Sequence, residues 1–292
     1  MSNQNDGNDC IKKATGLLII EVRGSNPNGD PDRESDPRQR YDDRGEISPV
    51  SFKRKVRDLV ENKEGPVWQE ISKMFKPKLE DAKFHILESR GRDRKAIENE
   101  IKDGTFKEKY WDGRVFGNTF LEEGSSTSIR TGVVQFGLGI SIAPIEIERM
   151  TTTNKAGVQE DKDRGMAPLG YRIVSHGVYC MPFFVNPTAA TATSCTNTDI
   201  ELLKRILPYA YSHTASYIRS FVGIRHAWYI EHKSQLGSCS DFKLIDALTP
   251  KKKENFDPEK PSKTWDEYDF PTKLPEDLKS KVKPLLDLMD MQ

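Results

Sequence analysis

The chain has 292 residues, 31% of them charged and 35% hydrophobic, enough for one large domain or two ordinary ones at roughly 150 residues each. Lys+Arg and Asp+Glu both total 45, so net charge argues neither for nor against a polyanionic partner, and only a segregated distribution of charge could do so. No run approaches the roughly 18 apolar residues of a membrane span, the start Met1 to Lys13 lacks an apolar signal region, and Cys10, Cys180, Cys195 and Cys239 show neither zinc nor disulfide spacing, so reduced thiols in a cytoplasmic protein are expected.

In chain order, residues 1–15 are expected to form a disordered leader. Leu17-Leu18-Ile19-Ile20-Glu21-Val22 reads as a buried strand within 16–23. Residues 24–47 form a long loop. Ser48-Pro49 then opens a helix, with Ser as N-cap and Pro at the first helical position. Val67 to Phe75 is predicted helical, Phe84 to Leu87 a short strand, and Lys95 to Lys109 partly helical. Thr131 to Ile142 alternates as a long strand. Ile145 to Gly170 has a charged centre, Gln159 to Arg164, between β-branched flanks, and is predicted to project as a β-hairpin. Tyr171 to Val185 is a strand, and Thr198 starts a helix to about Phe221, kinked at Pro208. Gly223 to Glu231 is a strand, Asp241 to Leu248 a short helix and Lys279 to Met291 a last amphipathic helix. Between them, Trp265, Tyr268 and Phe270 predict that part of the Lys/Pro-rich end docks. The order strand, helix, strand, strand, helix, strand predicts an α+β fold with a ferredoxin-like, or RRM-like, core.

The most informative stretch is Gly24-Ser25-Asn26-Pro27-Asn28-Gly29-Asp30-Pro31-Asp32, just ahead of the basic run Lys53-Arg54-Lys55-Val56-Arg57. Pro fixes φ, Gly admits positive φ, and Asn and Asp bond nearby backbone, so this loop has a defined shape with exposed amides. On the following helix Lys53, Arg54 and Arg57 share a face. A shaped loop beside a cationic helix suits a polyanion held by its backbone, read by charge rather than by sequence. Further cations, Arg114, Arg130, Arg149, Arg219 and Arg225, stand at element ends. Taken singly, each of these features also fits an ordinary turn or a solvated surface.

Signs of catalysis are few. The loop is neither a Walker A nor an EF-hand sequence. Asp30, Asp32 and Asp36 could bind a divalent cation, although alternating loop carboxylates commonly just stabilise a turn. The five histidines lack HExxH spacing, and no Gly-x-Ser-x-Gly elbow occurs. Neither a cofactor nor a resident metal is expected.

Five blocks resemble, in order, those of the CRISPR Cascade backbone subunit family in its type I-C and I-B subgroup. They are the Asn26 to Asp32 loop; Val50-Ser51-Phe52-Lys53-Arg54-Lys55-Val56-Arg57-Asp58; Tyr110-Trp111-Asp112-Gly113-Arg114-Val115-Phe116-Gly117; Arg130 to Phe136, ending in Ser141-Ile142; and Glu231 to Gly237. The resemblance runs from about Leu17 to Leu248. It implies an RRM-like palm over 16–248, with a finger region inserted at about 66–130 and a hairpin thumb at about 144–170, and leaves a polar, partly docked segment at 249–292. It further implies a non-catalytic subunit whose copies stack head-to-tail along the guide RNA (crRNA), present it to target DNA, and meet a large subunit and a crRNA-processing subunit.

The expected RNA-binding residues are Asn26, Asn28 and Gly29 of the loop, Lys53, Arg54 and Arg57 of the helix, and Arg114, Arg130, Arg149, Arg219 and Arg225. On the hairpin they are Thr151 and Thr152 with Met150 or Met166, either of which could wedge between stacked bases. Two other readings stay open at this point. One is a metal-dependent ribonuclease of the type III backbone kind using Asp30 or Asp32, and the other is an RRM-like RNA-binding module without an assembly role.

Overall fold

The computed structural model describes residues 10–89, 94–118, 130–154 and 167–291. Among these, eight strands form one large sheet: β1 (Ala14–Ser25), β2 (Arg44–Ile47), β3 (Val134–Phe136), β4 (Gly139–Pro144), β5 (Ile147–Asn154), β6 (Ala167–Val185), β7 (Val222–Glu231) and β8 (Leu286–Asp287). The helices that pack on it include α1 (Pro49–Glu61), α2 (Pro66–Lys73), α3 (Trp111–Phe116), α4 (Asn197–Ile206) and α5 (Asp241–Leu248). The fold is mixed α/β around an antiparallel sheet. β1 lies at its centre, between β6 in the register Ala14↔Val185 to Ser25↔Val174 and β7 in the register Ala14↔Glu231 to Val22↔Val222. Across the sheet the order is β8, β7, β1, β6, β4, β2, with β3 and β5 also paired to β6.

The unbroken apolar run of β1 is explained by burial on both faces. Leu18, Ile20 and Val22 enter the larger core, with Phe52, Val56 and Val60 of α1, Trp68 of α2, Trp111 of α3 and Leu203 of α4. Leu17 and Ile19 point the other way, as alternate strand residues must. They pack with Trp228 and Ile230 of β7, Leu244 and Leu248 of α5, and Tyr268, Leu274, Leu278 and Val282 of the C-terminal segment. That segment therefore roofs one sheet face. Tyr268 is buried, Trp265 stacks on Phe270 with ring centroids 3.7 Å apart, and β8 pairs with the outer edge of β7.

Beyond Val174, β6 leaves β1 behind and pairs only with β5, from Val174↔Ile147 to Ala167↔Asn154. The result is a two-stranded ribbon extending past the end of the central strand. Its connecting residues, 155–166, lie outside the described residues.

Several expectations from the sequence are corrected. The supposed leader over 1–15 runs too far, because Ile11 is buried and β1 begins at Ala14; residues 1–9 are outside the described residues. Phe84 to Leu87 makes only an isolated bridge at His85 and is not a strand. The long strand over 131–142 is broken. A Cβ on Gly132 would sit 2.1 Å from the Phe116 carbonyl carbon, and Gly137 donates to the carbonyl of Pro182, which has no N–H to return. The helix from 198 stops at Ile206 and gives way to a 3-10 turn, Leu207–Tyr209, around Pro208. The region 279–291 is not one helix. A single turn (Glu276–Lys279), β8 and a terminal 3-10 turn (Leu288–Met291) replace it, because pairing with β7 and burial of Leu288 outweigh helical periodicity.

Candidate nucleic-acid interface

The loop after β1 is built from its own side chains. Asn26 donates from Nδ2 to the Ser35 carbonyl at 2.8 Å, and its backbone N–H reaches the Ile218 carbonyl at 2.8 Å. Asn28 Oδ1 accepts from both the backbone N–H and the hydroxyl of Ser48, at 2.9 and 2.8 Å, while its Nδ2 donates to the Gly29 carbonyl. Ser48 in turn caps α1, its hydroxyl accepting from the Ser51 N–H at 3.2 Å, with Pro49 at the first helical position. Loop and helix thus form one rigid unit. Gly29 is not in the left-handed region, contrary to expectation. A Cβ there would lie 3.0 Å from the Ser35 carbonyl oxygen, a tight contact that favours glycine.

A cleft of about 640 Å³ opens between Asn26, Asn28, Gly29, Ser48, Ser51 and Arg219. The N-terminus of the 13-residue α1 forms one wall and carries the positive end of the helix dipole. Arg219 Nε is fixed by the Asn26 carbonyl at 3.1 Å. Lys55 approaches the same region, donating to the Thr214 carbonyl at 3.4 Å, and burial followed by the charge of Arg219 lowers its pKa. The ribbon of β5 and β6 stands beside this cleft. Arg172 forms an ion pair with Asp36 of the loop, and on the opposite strand face the ring of Tyr171 meets that of Tyr217 at 5.5 Å. Arg149, Met150 and Thr151 are exposed on β5.

The structure separates the remaining candidates. Arg57 and Arg114 are corrected as RNA contacts. Arg57 is 3% exposed and its Nε lies 2.8 Å from Asp112 Oδ2. Arg114, 6% exposed, makes a two-pronged bond to Asp199 at 2.8 and 3.1 Å and donates to three backbone carbonyls. A buried guanidinium so matched holds elements together and has no surface to offer. Arg54 is tied to Asp58 and Glu61, which outweigh burial and raise its pKa. Lys53 is half-buried beside the Phe116 ring, its pKa lowered by burial and by the charge of Arg57. The shared cationic face is therefore reduced to Lys53 and a neutralised Arg54. Arg225 is also displaced from the cleft. It pairs with Glu21 at 3.3 Å and lies over Trp265, on the face that the C-terminal segment roofs. Met166 and the side chains of Arg130 and Thr152 lie outside the described residues.

The loop carboxylates have structural partners. Asp30 accepts from the Asp32 N–H, and Asp36 is paired with Arg172. Among the described residues no group of three or more His, Cys, Asp or Glu is placed to hold a metal ion, and no helix is long and apolar enough to cross a membrane. The arrangement can bind a polar, anionic strand through amides, hydroxyls and Arg219. The sequence reading missed Tyr171, Tyr217 and Ser48 as parts of this region. The pattern Tyr217-Ile218-Arg219-Ser220-Phe221 was the available signal for Tyr217, but it was absorbed into a helix that ends earlier.

The pattern of the family described as CRISPR-associated protein Cas7 matches residues 12–273. A search of the curated proteins finds no match. Among solved structures, the chain is similar to one in "CRISPR RNA-guided surveillance complex, pre-nicking", at 16% identity and TM-score 0.47, covering 75% of this chain and 78% of that one. It is also similar to a chain in "Cryo-EM structure of the Type III-B Cmr-beta bound to cognate target RNA", at 14% identity and TM-score 0.42, covering 75% of this chain and 61% of that one.

Proposed function

This chain belongs to the CRISPR-associated protein Cas7 family, and from that premise we propose that it is a non-catalytic backbone subunit of a type I, Cascade-like CRISPR effector of the I-C or I-B kind. In this reading it binds crRNA by its backbone, and several copies stack head-to-tail along the guide. Heterologous contacts of this sort build open helices rather than closed dimers. Together with the large and crRNA-processing subunits, the assembly presents the guide to target DNA in the cytoplasm. The strand order β7, β1, β6, β4, with α1 and α4 as the two crossovers, supports an RRM-like palm. The β5–β6 ribbon is read as the base of the thumb, and Met150 or Met166 as its wedge. The region 66–130 is read as the finger.

The observation that carries the proposal is the cleft at the end of β1, where the Asn26–Gly29 backbone, the N-terminus of α1 and Arg219 converge. These groups address phosphate and ribose and leave base edges free for pairing, as a guide of variable sequence requires. The C-terminal segment covers one sheet face, and since RRM aromatics commonly stack bases on an open sheet face, this supports an RNA path along the loop edge instead.

Native mass spectrometry of the protein purified from cells expressing a CRISPR array tests this reading. Several copies on one guide-length RNA are expected, and a monomer free of RNA would overturn it. Robust Mg²⁺-dependent RNA cleavage, abolished by Asp30→Ala, would overturn the non-catalytic part. Deleting Asn154 to Arg164 should leave a folded monomer that forms no long filaments on RNA. Normal filament length by electron microscopy would sink the thumb assignment.

A further inference from the structure

An exposed aromatic turn borders the cleft. Tyr217 is 71% exposed and Phe221, four residues on, is 67% exposed. Single exposed apolar side chains are ordinary, but this turn is tied to the β1 end and its loop by hydrogen bonds. Asn26 N–H donates to the Ile218 carbonyl at 2.8 Å, Arg219 Nε to the Asn26 carbonyl at 3.1 Å, and the Phe221 N–H to the Ser25 hydroxyl at 3.1 Å. Ile218 and Arg219, the next residues after Tyr217, line the cleft itself. The Tyr217 ring is supported from the ribbon by Tyr171, with centroids 5.5 Å apart and planes at 54°. Tyr171 is directly opposite Met150 in the β5–β6 register, so the two side chains share one face of the ribbon.

We propose that Tyr217, supported by Tyr171, is a stacking platform for one unpaired base of the RNA strand whose backbone the cleft holds. The inference rests on the reading under Proposed function. An aromatic ring with few rotatable bonds, held from behind and open in front, loses little entropy on stacking and accepts any base. The neighbouring cations favour nucleic acid over a protein partner: Arg219 lines the cleft and Lys55 lies close enough to feel its charge, so phosphates of a strand held there have cations to meet. The platform would give each copy a fixed point along the strand without reading its sequence.

The test is fluorescence anisotropy with labelled single-stranded RNA and with an abasic oligonucleotide of equal length, using the full chain. Tyr217→Ser should weaken binding to base-bearing RNA about 5- to 150-fold, the span seen for loss of one stacked base. Tyr217→Phe should restore nearly all of it. The salt slope should stay unchanged, because no charge is removed. On the abasic strand, wild type and Tyr217→Ser should bind alike. Unchanged affinity of Tyr217→Ser for base-bearing RNA would overturn the proposal. So would an equal loss on the abasic strand, or weakened self-association with RNA affinity intact, which would make Tyr217 a protein contact. Wild type that binds no RNA at any salt would instead overturn the underlying reading and take this inference with it.

Discussion

Removing the Arg57 guanidinium should unfold the protein more readily and leave the electrostatics of RNA binding unaltered. Arg57 Nε is 2.8 Å from Asp112 Oδ2, and Nη2 is 3.1 Å from Glu88 Oε1. Asp112, 1% exposed, also accepts the backbone N–H groups of Leu87 and Glu88, at 2.6 and 3.3 Å. Arg57→Ala leaves that carboxylate charged and buried with amides alone, and breaking a buried pair in this way costs about 3–5 kcal/mol. The Glu88 contact adds little, because its side chain is 46% exposed. Asp112→Ala should cost as much or more, since it strands the buried guanidinium and also removes the acceptor that the Leu87 and Glu88 N–H groups share. The double variant should be milder than the sum, because the second deletion removes the charge that the first one stranded. Urea unfolding monitored by circular dichroism gives the stability, and anisotropy across a salt series gives the RNA slope. An Arg57→Ala variant that keeps stability within about 0.5 kcal/mol while the salt slope falls by about one unit would refute the structural role of the ion pair. Arg57 would then be a phosphate contact.

Gly132→Ala should be strongly destabilising, by about 1–3 kcal/mol or more, because its Cβ would meet the Phe116 carbonyl carbon at 2.1 Å and the Gly117 nitrogen at 2.2 Å, both backbone atoms. An unchanged melting temperature would show that the two segments can part at no cost. Asn28→Ala should cost about 1–3 kcal/mol by leaving the Ser48 N–H without its acceptor, and Asn28→Asp, which keeps the acceptor, should lose less in the same urea titration. Glu21 predicts an acid limb. Burial acts to raise its pKa, but His176, Arg23 and Arg225 outweigh it and hold the carboxyl at about 2, against an ordinary 4.5. His176 Nε2 lies 3.4 Å and Arg23 Nε 2.7 Å from Oε1, and Arg225 Nη1 lies 3.3 Å from Oε2. Since the folded pKa is depressed, the stabilisation is full above pH 4.5 and is lost as pH falls toward 2, about 3 kcal/mol in all. In acid unfolding followed by fluorescence, Glu21→Gln should flatten that part of the profile, and an unchanged profile would mean the ion pairs are idle.

Local chemistry made much of this protein legible from its sequence. The apolar run of β1, the Ser48-Pro49 start of α1, the bounds of Asp241–Leu248 and the strand at Val222–Glu231 depend on neighbours within a few residues. The five ordered blocks were enough to place the chain in its family. The loop was recognised as a shaped element because Pro, Gly and Asn declare backbone geometry directly. Charge was not legible in the same way. Lys53, Arg54 and Arg57 look alike on a helical face, but the acids that neutralise them differ in reach. Arg54 finds Asp58 on its own helix, whereas Arg57 finds Asp112, 55 residues away, and Arg114 finds Asp199, 85 residues away. Whether a cation faces solvent or a buried carboxylate is settled by long-range packing, which no local pattern encodes. The same reason explains the C-terminal segment, whose helical periodicity gave way to pairing with β7, and the turn at Tyr217–Arg219, whose position against the loop exists only once β1 and β7 lie side by side.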